Sequence, residues 1–188
     1  MQSQANLVLE DGTILPGTPF GAEADTVFEL VFNTSMSGYQ EILTDPSYRG
    51  QGVVFTNPQI GNTGINLQDD ESAKPQVSAL VIRALSPLVS NWRASLPLAD
   101  WLRRENIPGI SDLDTRFLTR KLRDGGTLKA ALTTRGTSTQ ELLEMARAWP
   151  GLDGVDTVRD VSCREAYTWQ PDAGQAEWVG GRVEIAWE

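Results

Sequence analysis

Histidine is absent from all 188 residues, and cysteine occurs once, at Cys163. Without an imidazole the commonest general base is missing, so neither a Ser-His-Asp nor a Cys-His centre can be completed within this chain. The commonest zinc ligand is missing too, and a single thiol excludes a structural zinc site and an intramolecular disulfide. Lone-cysteine usage fits a reducing compartment, and a cytoplasmic location is expected. Positive charge is scarce: sixteen Lys and Arg face twenty-five Asp and Glu, for a net charge of −9. Phosphate backbones and anionic membrane surfaces both demand clustered cations, so neither nucleic acid nor membrane is an expected partner. No apolar run approaches the ~20 residues of a membrane span. The opening MQSQANLVLEDG lacks the basic and apolar regions of a signal peptide. A P-loop, and a G-x-G-x-x-G following a strand, are also missing.

What is present is ordinary globular material, 40% apolar and 22% charged, enough for one domain or one domain plus a tail. Asn33–Asn66 stands out, because glycine, proline, asparagine, serine and threonine crowd around the apolar run Val53-Val54-Phe55. That composition predicts a buried strand flanked by tight turns, the usual raw material of a binding surface. Asn6–Glu10, Asp11-Gly12-Thr13 and Ile14-Leu15 read as a hairpin, and Val27–Phe32, Gln51–Thr56, Val77–Arg83 and Thr127–Leu132 as strands. Ser37–Thr44 predicts a short helix stopped by Asp45-Pro46. Leu98, Trp101 and Leu102 have helical spacing, with Pro97 in the first turn. Asp114 is placed to cap a helix over Thr115–Asp124 with Phe117, Leu118 and Leu122 on one face, ended by Gly125-Gly126. Ser138 and Glu141 form a capping box for a helix ending at Trp149-Pro150-Gly151. Strands first and helices later predict mixed α and β rather than a doubly wound sheet. Gly151–Glu188, with Trp169, Trp178 and Trp187, has no sustained period. Val183–Trp187 reads as a strand whose continuation is missing.

Each candidate for chemistry has a plainer reading beside it. Arg103-Arg104 and Arg116, Arg120, Lys121 and Arg123 fall on helical patterns among acids, so solvated helix faces account for them better than a nucleic-acid patch. Asp69-Asp70-Glu71 could offer oxygen ligands to magnesium, or could be a solvated acidic loop. Asp112 and Asp114 read as a turn residue and a cap rather than an acid/base pair. Cys163, next to Arg164, has no nucleophile elbow around it and reads as structural or incidental. Ser47, in Thr44-Asp45-Pro46-Ser47-Tyr48, is either a turn serine or a loop-tip hydroxyl available to a polar ligand. With no base beside it, a role as nucleophile is the weakest of the readings.

MSGYQEILTDPSYRGQ, FTNPQIGNTGIN, SNWRA at Ser90–Ala94, DLDTRFLTRKLRDGG at Asp112–Gly126 and AYTW at Ala166–Trp169 closely resemble the carbamoyl phosphate synthase small chain family. The likeness runs from Leu7 to Trp169. It implies an α/β fold, a swivelling β/β/α-type domain over residues 1–152, with 153–188 a connecting segment. A class I glutamine amidotransferase domain with a Cys-His-Glu triad follows in the family and is absent here, in keeping with the missing histidine. The resemblance further implies that glutamine hydrolysed by that domain yields ammonia for the large chain. The large chain makes carbamoyl phosphate for pyrimidine and arginine biosynthesis, and ATP and the divalent metal belong to it, leaving no cofactor and no metal in this chain. Expected partners are the large chain, the amidotransferase domain of the same small chain, and L-glutamine. No catalytic residue carries over, and one substrate-binding residue does: the family position matching Ser47 contacts the glutamine. Three features depart from the family. Gln59 stands where many relatives have histidine, Ser37 where many have threonine, and Thr127-Leu128-Lys129 is bulkier than the small residues expected after the double glycine. The alternative to a synthase subunit is a stand-alone protein-interaction module with no enzymatic role.

Overall fold

A computed structural model describes residues 4–166. The AYTW run beyond Ala166, the tail tryptophans and the Val183–Trp187 strand lie outside the described residues. Among the described residues, seven strands close into a barrel: β1 Ala5–Leu9, β2 Ile14–Gly21, β3 Asp25–Asn33, β4 Gln51–Phe55, β5 Ala79–Val81, β6 Pro108–Ser111 and β7 Leu128–Thr133. Their order around it is β1-β2-β6-β5-β4-β3-β7. Strands β3, β4, β5 and β6 are parallel neighbours, and the other junctions are antiparallel. The chain is mixed α/β, as its sequence predicts.

Alternation along the strands explains the closure. Leu7, Leu9, Phe28, Leu30, Val54, Val81, Ile110, Ala130 and Leu132 fill the interior. The intervening residues are apolar as well where a helix covers them. Val8 and Ala131 pack under α4 (Thr139–Ala148) through Leu142 and Ala146. Val53, Phe55, Leu80 and Ile82 pack under α1 (Tyr39–Thr44) and α2 (Leu98–Arg104) through Tyr39, Leu43, Leu98 and Leu102. The helix α3 (Thr115–Gly125) sends Leu118 and Leu122 into the barrel interior.

Several sequence expectations shift. Strand β6 is missing from the sequence reading because Pro108 and Gly109 depress strand propensity, yet Pro108 sits at the first strand position, where its missing N–H matters least. Strand β2 runs on to Gly21 through Pro16 and Pro19. Residues 14–17 pair only with β1 and 18–21 only with β6, so each half has one open side that tolerates proline. Phe117 does not share the buried face of α3: it is 44% exposed, with the Lys121 ammonium 5.9 Å from its ring centroid. The inward stripe is Thr115, Leu118 and Leu122, and Phe117 lies more than about a third of a turn from its middle. Pro97 is the cap of α2 rather than part of its first turn. A short helix, α5 (Thr157–Val161), occupies part of the segment expected to lack periodic structure.

Candidate functional site

Because β3 to β6 are parallel, their carboxyl ends meet at one end of the barrel, the usual place for a ligand cleft in parallel sheets. The loops after β3 and β4 enclose a cleft of about 340 Å³ there, lined by Ser35 to Tyr39, Phe55, and Asn57 to Ile60 with Asn62 and Thr63. Asn57 holds the two loops together, its Nδ2 donating to the Met36 carbonyl at 2.8 Å. At the base of the cleft Tyr39 is 5% exposed and donates its hydroxyl to the Gly64 carbonyl at 2.7 Å. Burial raises its pKa above the ordinary 10.0, outweighing the stabilising contacts from Thr63 and Gly64. The neutral phenol is therefore the form the fold favours. Its contribution is complete below pH 10 and is lost as pH climbs past that value into the folded-state range. Tyr39→Phe is expected to cost about 1 kcal/mol at neutral pH and to flatten the alkaline loss, as read from urea midpoints between pH 8 and 11.

Ser47 lies elsewhere. It belongs to a 3-10 turn, Pro46–Tyr48, at the amino end of β4, whereas the cleft residues Asn57 to Ile60 follow the carboxyl end of that strand, about 13 Å along it. The stretch Asn33–Asn66 thus forms two surfaces, joined by α1 and by Asn33 Nδ2 donating to the Tyr48 hydroxyl at 2.9 Å. The turn is tightly specified. Asp45 caps it by accepting from the Ser47 N–H at 2.8 Å, Tyr48 N–H donates to the Asp45 carbonyl at 3.1 Å, and Arg49 N–H to the Pro46 carbonyl at 3.1 Å. Pro46 presets the first turn position. Ser47 is exposed, and among the described residues no hydrogen bond engages its hydroxyl. This is an exposed donor and acceptor on a fixed backbone, suited to holding a carboxylate, ammonium or amide; the Asp45 carboxylate beside it is taken up by the Ser47 N–H.

The acidic run has a structural assignment that its sequence did not disclose. Asp69 takes both ends of the Arg93 guanidinium, at 2.8 and 3.1 Å, and accepts from Asn66 Nδ2 at 2.7 Å. Asp70 accepts from Gln40 at 2.7 Å, while Glu71 N–H donates to the Thr44 hydroxyl at 2.9 Å. The Asp70 and Glu71 bonds fasten the run to α1 and Asp69 ties it to Arg93, so only part of the run is simply solvated. Among the described residues no group of three or more His, Cys, Asp or Glu is placed to hold a metal ion.

The remaining candidates are simpler. Asp114 accepts from the Phe117 N–H at 2.9 Å and caps α3, whereas exposed Asp112 adopts a left-handed turn at φ 67°. Cys163 is a free, exposed thiol. Arg103 pairs with Asp100 at 2.6 Å, and Lys121 with Asp11 at 2.6 Å. Partial burial works against the Asp11 charge, but Lys121 and the Thr13 amide outweigh it and hold that carboxyl below its usual range. Lys129, one of the bulky residues after the double glycine, caps α4: its Nζ donates to the Trp149 carbonyl at 3.2 Å and lies 3.4 Å from Glu10 Oε2. Nothing in the local sequence pointed to that role, since Lys129 and Trp149 are twenty residues apart.

Among the described residues no helix is long and apolar enough to cross a membrane. Residues 7–132 match the family model of the carbamoyl-phosphate synthase small chain, CPSase domain. The chain is 54% identical over 175 residues to a chloroplastic carbamoyl phosphate synthase small chain of Arabidopsis thaliana, a match covering 93% of this chain and 40% of that one. It is 49% identical over 174 residues to the small chain of Nostoc sp., covering 93% and 45%. It is 48% identical over 188 residues to that of Vibrio cholerae, covering 98% and 48%. The chain therefore spans somewhat less than half the length of the curated relatives it matches. On the strength of these matches and of the barrel that carries them, the chain belongs to the carbamoyl phosphate synthase small chain family, and corresponds to the CPSase domain of that chain.

Proposed function

We propose that this domain is the docking scaffold of a glutamine-dependent carbamoyl phosphate synthase, a ligase subunit that performs no chemistry by itself. It seats an amidotransferase domain of the same small chain against the large chain, in a heterodimer, and lends Ser47 to the glutamine pocket. Ammonia freed there passes to the large chain, which uses ATP and a divalent metal to make carbamoyl phosphate for pyrimidine and arginine biosynthesis. The lone cysteine supports placing this work in the cytoplasm.

The observation that carries the reading is the Ser47 turn. Its backbone is fixed by Asp45, its hydroxyl is unengaged among the described residues, and its side chain faces outward from the barrel. Here the capping falls to Asp45, and the serine is left to contact whatever is set against this face. Glutamine suits it, because a hydroxyl on a backbone that is already fixed can donate to the amino acid's carboxylate without any ordering of the turn at the moment of binding.

The purified chain tests this directly. It is expected to retain the large chain in a pull-down and to release no ammonia from glutamine. Turnover of glutamine by the chain alone, or failure to bind the large chain, would overturn the scaffold reading.

A further inference from the structure

The turn that carries Ser47 ends at Gly50, and what lies against Gly50 comes from another part of the sequence. Gly50 has φ 82°, and a Cβ there would sit 2.8 Å from Leu152 Cδ2. Glycine holds the left-handed backbone the turn requires, and a larger residue would also push the Leu152 methyl aside. Leu152 belongs to the segment that departs from the barrel after α4, and the start of that segment is pinned. Arg147 Nε donates to the Glu10 carbonyl at 2.9 Å, and Lys129 Nζ donates to the carbonyls of Arg147 and Trp149 at 3.4 and 3.2 Å. Gly151, at φ 89°, then redirects the chain so that Leu152 reaches Gly50. Farther along, α5 contains no buried residue, and Val155 and Val158 are 49% and 68% exposed. Leu152 is thus the apolar seat of the departing segment on the barrel, and it rests on the turn that presents the ligand hydroxyl.

We propose that Leu152 is a positioning residue for Ser47. Its side chain packs on Gly50, fixes the Asp45–Gly50 turn, and ties the orientation of that turn to the segment leading out of the barrel. The inference rests on the reading of Ser47 as a glutamine contact and adds to it a mechanism of alignment. A hydroxyl held on a short turn works only if the turn is itself held, since a displacement of about 1 Å at a binding group weakens its contact severely. Asp45 fixes the turn from its amino side; on its carboxyl side the backbone enters β4, with the Gly50 carbonyl accepting from the Glu29 N–H at 3.4 Å, and Leu152 packs over that junction.

The test uses the complete small chain together with its large chain. Leu152→Ala is expected to raise KM for glutamine about five-fold, with kcat within about two-fold and ammonia-dependent synthesis unchanged. Leu152→Met, which refills the seat at nearly constant volume, is expected to restore KM to within about two-fold of the parent. Gly50→Ala, which crowds Leu152 and also strains the left-handed backbone of the turn, should raise KM at least as much. If Ser47→Ala raises KM while Leu152→Ala and Gly50→Ala leave it alone, the alignment role is overturned and the glutamine contact stands. If Ser47→Ala itself changes nothing, both are overturned. A fall in ammonia-dependent synthesis that tracks the glutamine effect also overturns the alignment role, because loss of the whole domain would then explain the data.

Discussion

Replacing Ser47 by alanine in a complete small chain, paired with its large chain, is expected to raise KM for glutamine roughly ten- to a hundred-fold and to leave ammonia-dependent synthesis intact. The size follows from one hydrogen bond to a charged ligand, worth about 1.5–3 kcal/mol, at about 1.4 kcal/mol for each factor of ten. The specificity follows from the turn. Asp45 accepts from the backbone N–H of Ser47 rather than from its side chain, so alanine keeps the cap and the 3-10 geometry. Ser47 is exposed, so no buried partner is stranded by its loss. The variant should therefore melt within about 0.5 kcal/mol of the parent, as surface substitutions do. Steady-state kinetics with glutamine and with ammonium as alternative nitrogen donors separate the outcomes. Equal impairment with both donors, or unchanged glutamine kinetics, would remove Ser47 from the pocket.

The second large effect concerns the barrel interior. Phe28 is fully buried, and its ring lies directly over Gly52, where a Cβ would come within 2.2 Å of the ring edge at Cε2. Phe28→Ala should cost about 3–5 kcal/mol, the sum of lost transfer energy and an incompletely collapsed cavity. Gly52→Ala should cost about 1–3 kcal/mol for the opposite reason, overpacking against a ring that other interior residues confine. Since each change relieves the fault created by the other, the double variant should be more stable than the sum of the two losses predicts. Urea denaturation of the four proteins in a double-mutant cycle gives the coupling directly. Strict additivity would show that the ring is free to move away from Gly52.

How far the sequence could lead depended on the range of the interaction involved. Local signals performed well: the Asp11-Gly12 hairpin, the Asp114 cap, the Ser138 and Glu141 pair and the Gly125-Gly126 stop are settled within a few residues, and each has its counterpart in the structure. The buried Val53-Val54-Phe55 strand was legible because the run is apolar on both faces, and both faces are covered. Pairing order was not legible. Nothing in Pro108-Gly109-Ile110-Ser111 announces a strand until β5 and β2 are in place on either side of it. Phe117 misled for a related reason. Its spacing suits a buried face, but the barrel mouth accepts only the stripe through Leu118 and Leu122. At the candidate site the Ser47 turn was readable from Asp45-Pro46, whereas its brace was not, because Gly50 and Leu152 are a hundred residues apart in the chain and meet only once α4 has docked.

Strand β7 is the stave that completes the wall, for it is bonded to β1 on one side and to β3 on the other. Asn6 is matched to Thr133 and Asp25 to the same residue, so the earliest part of the chain waits for almost the last of the barrel to be synthesised. A nascent chain stopped before Leu128 exposes two unpaired strand margins at once, on β1 and on β3, each rich in aliphatic side chains. Production of shortened versions for biochemistry should accordingly keep residues through α4, and shorter pieces will need a chaperone or a fused shield to stay dispersed.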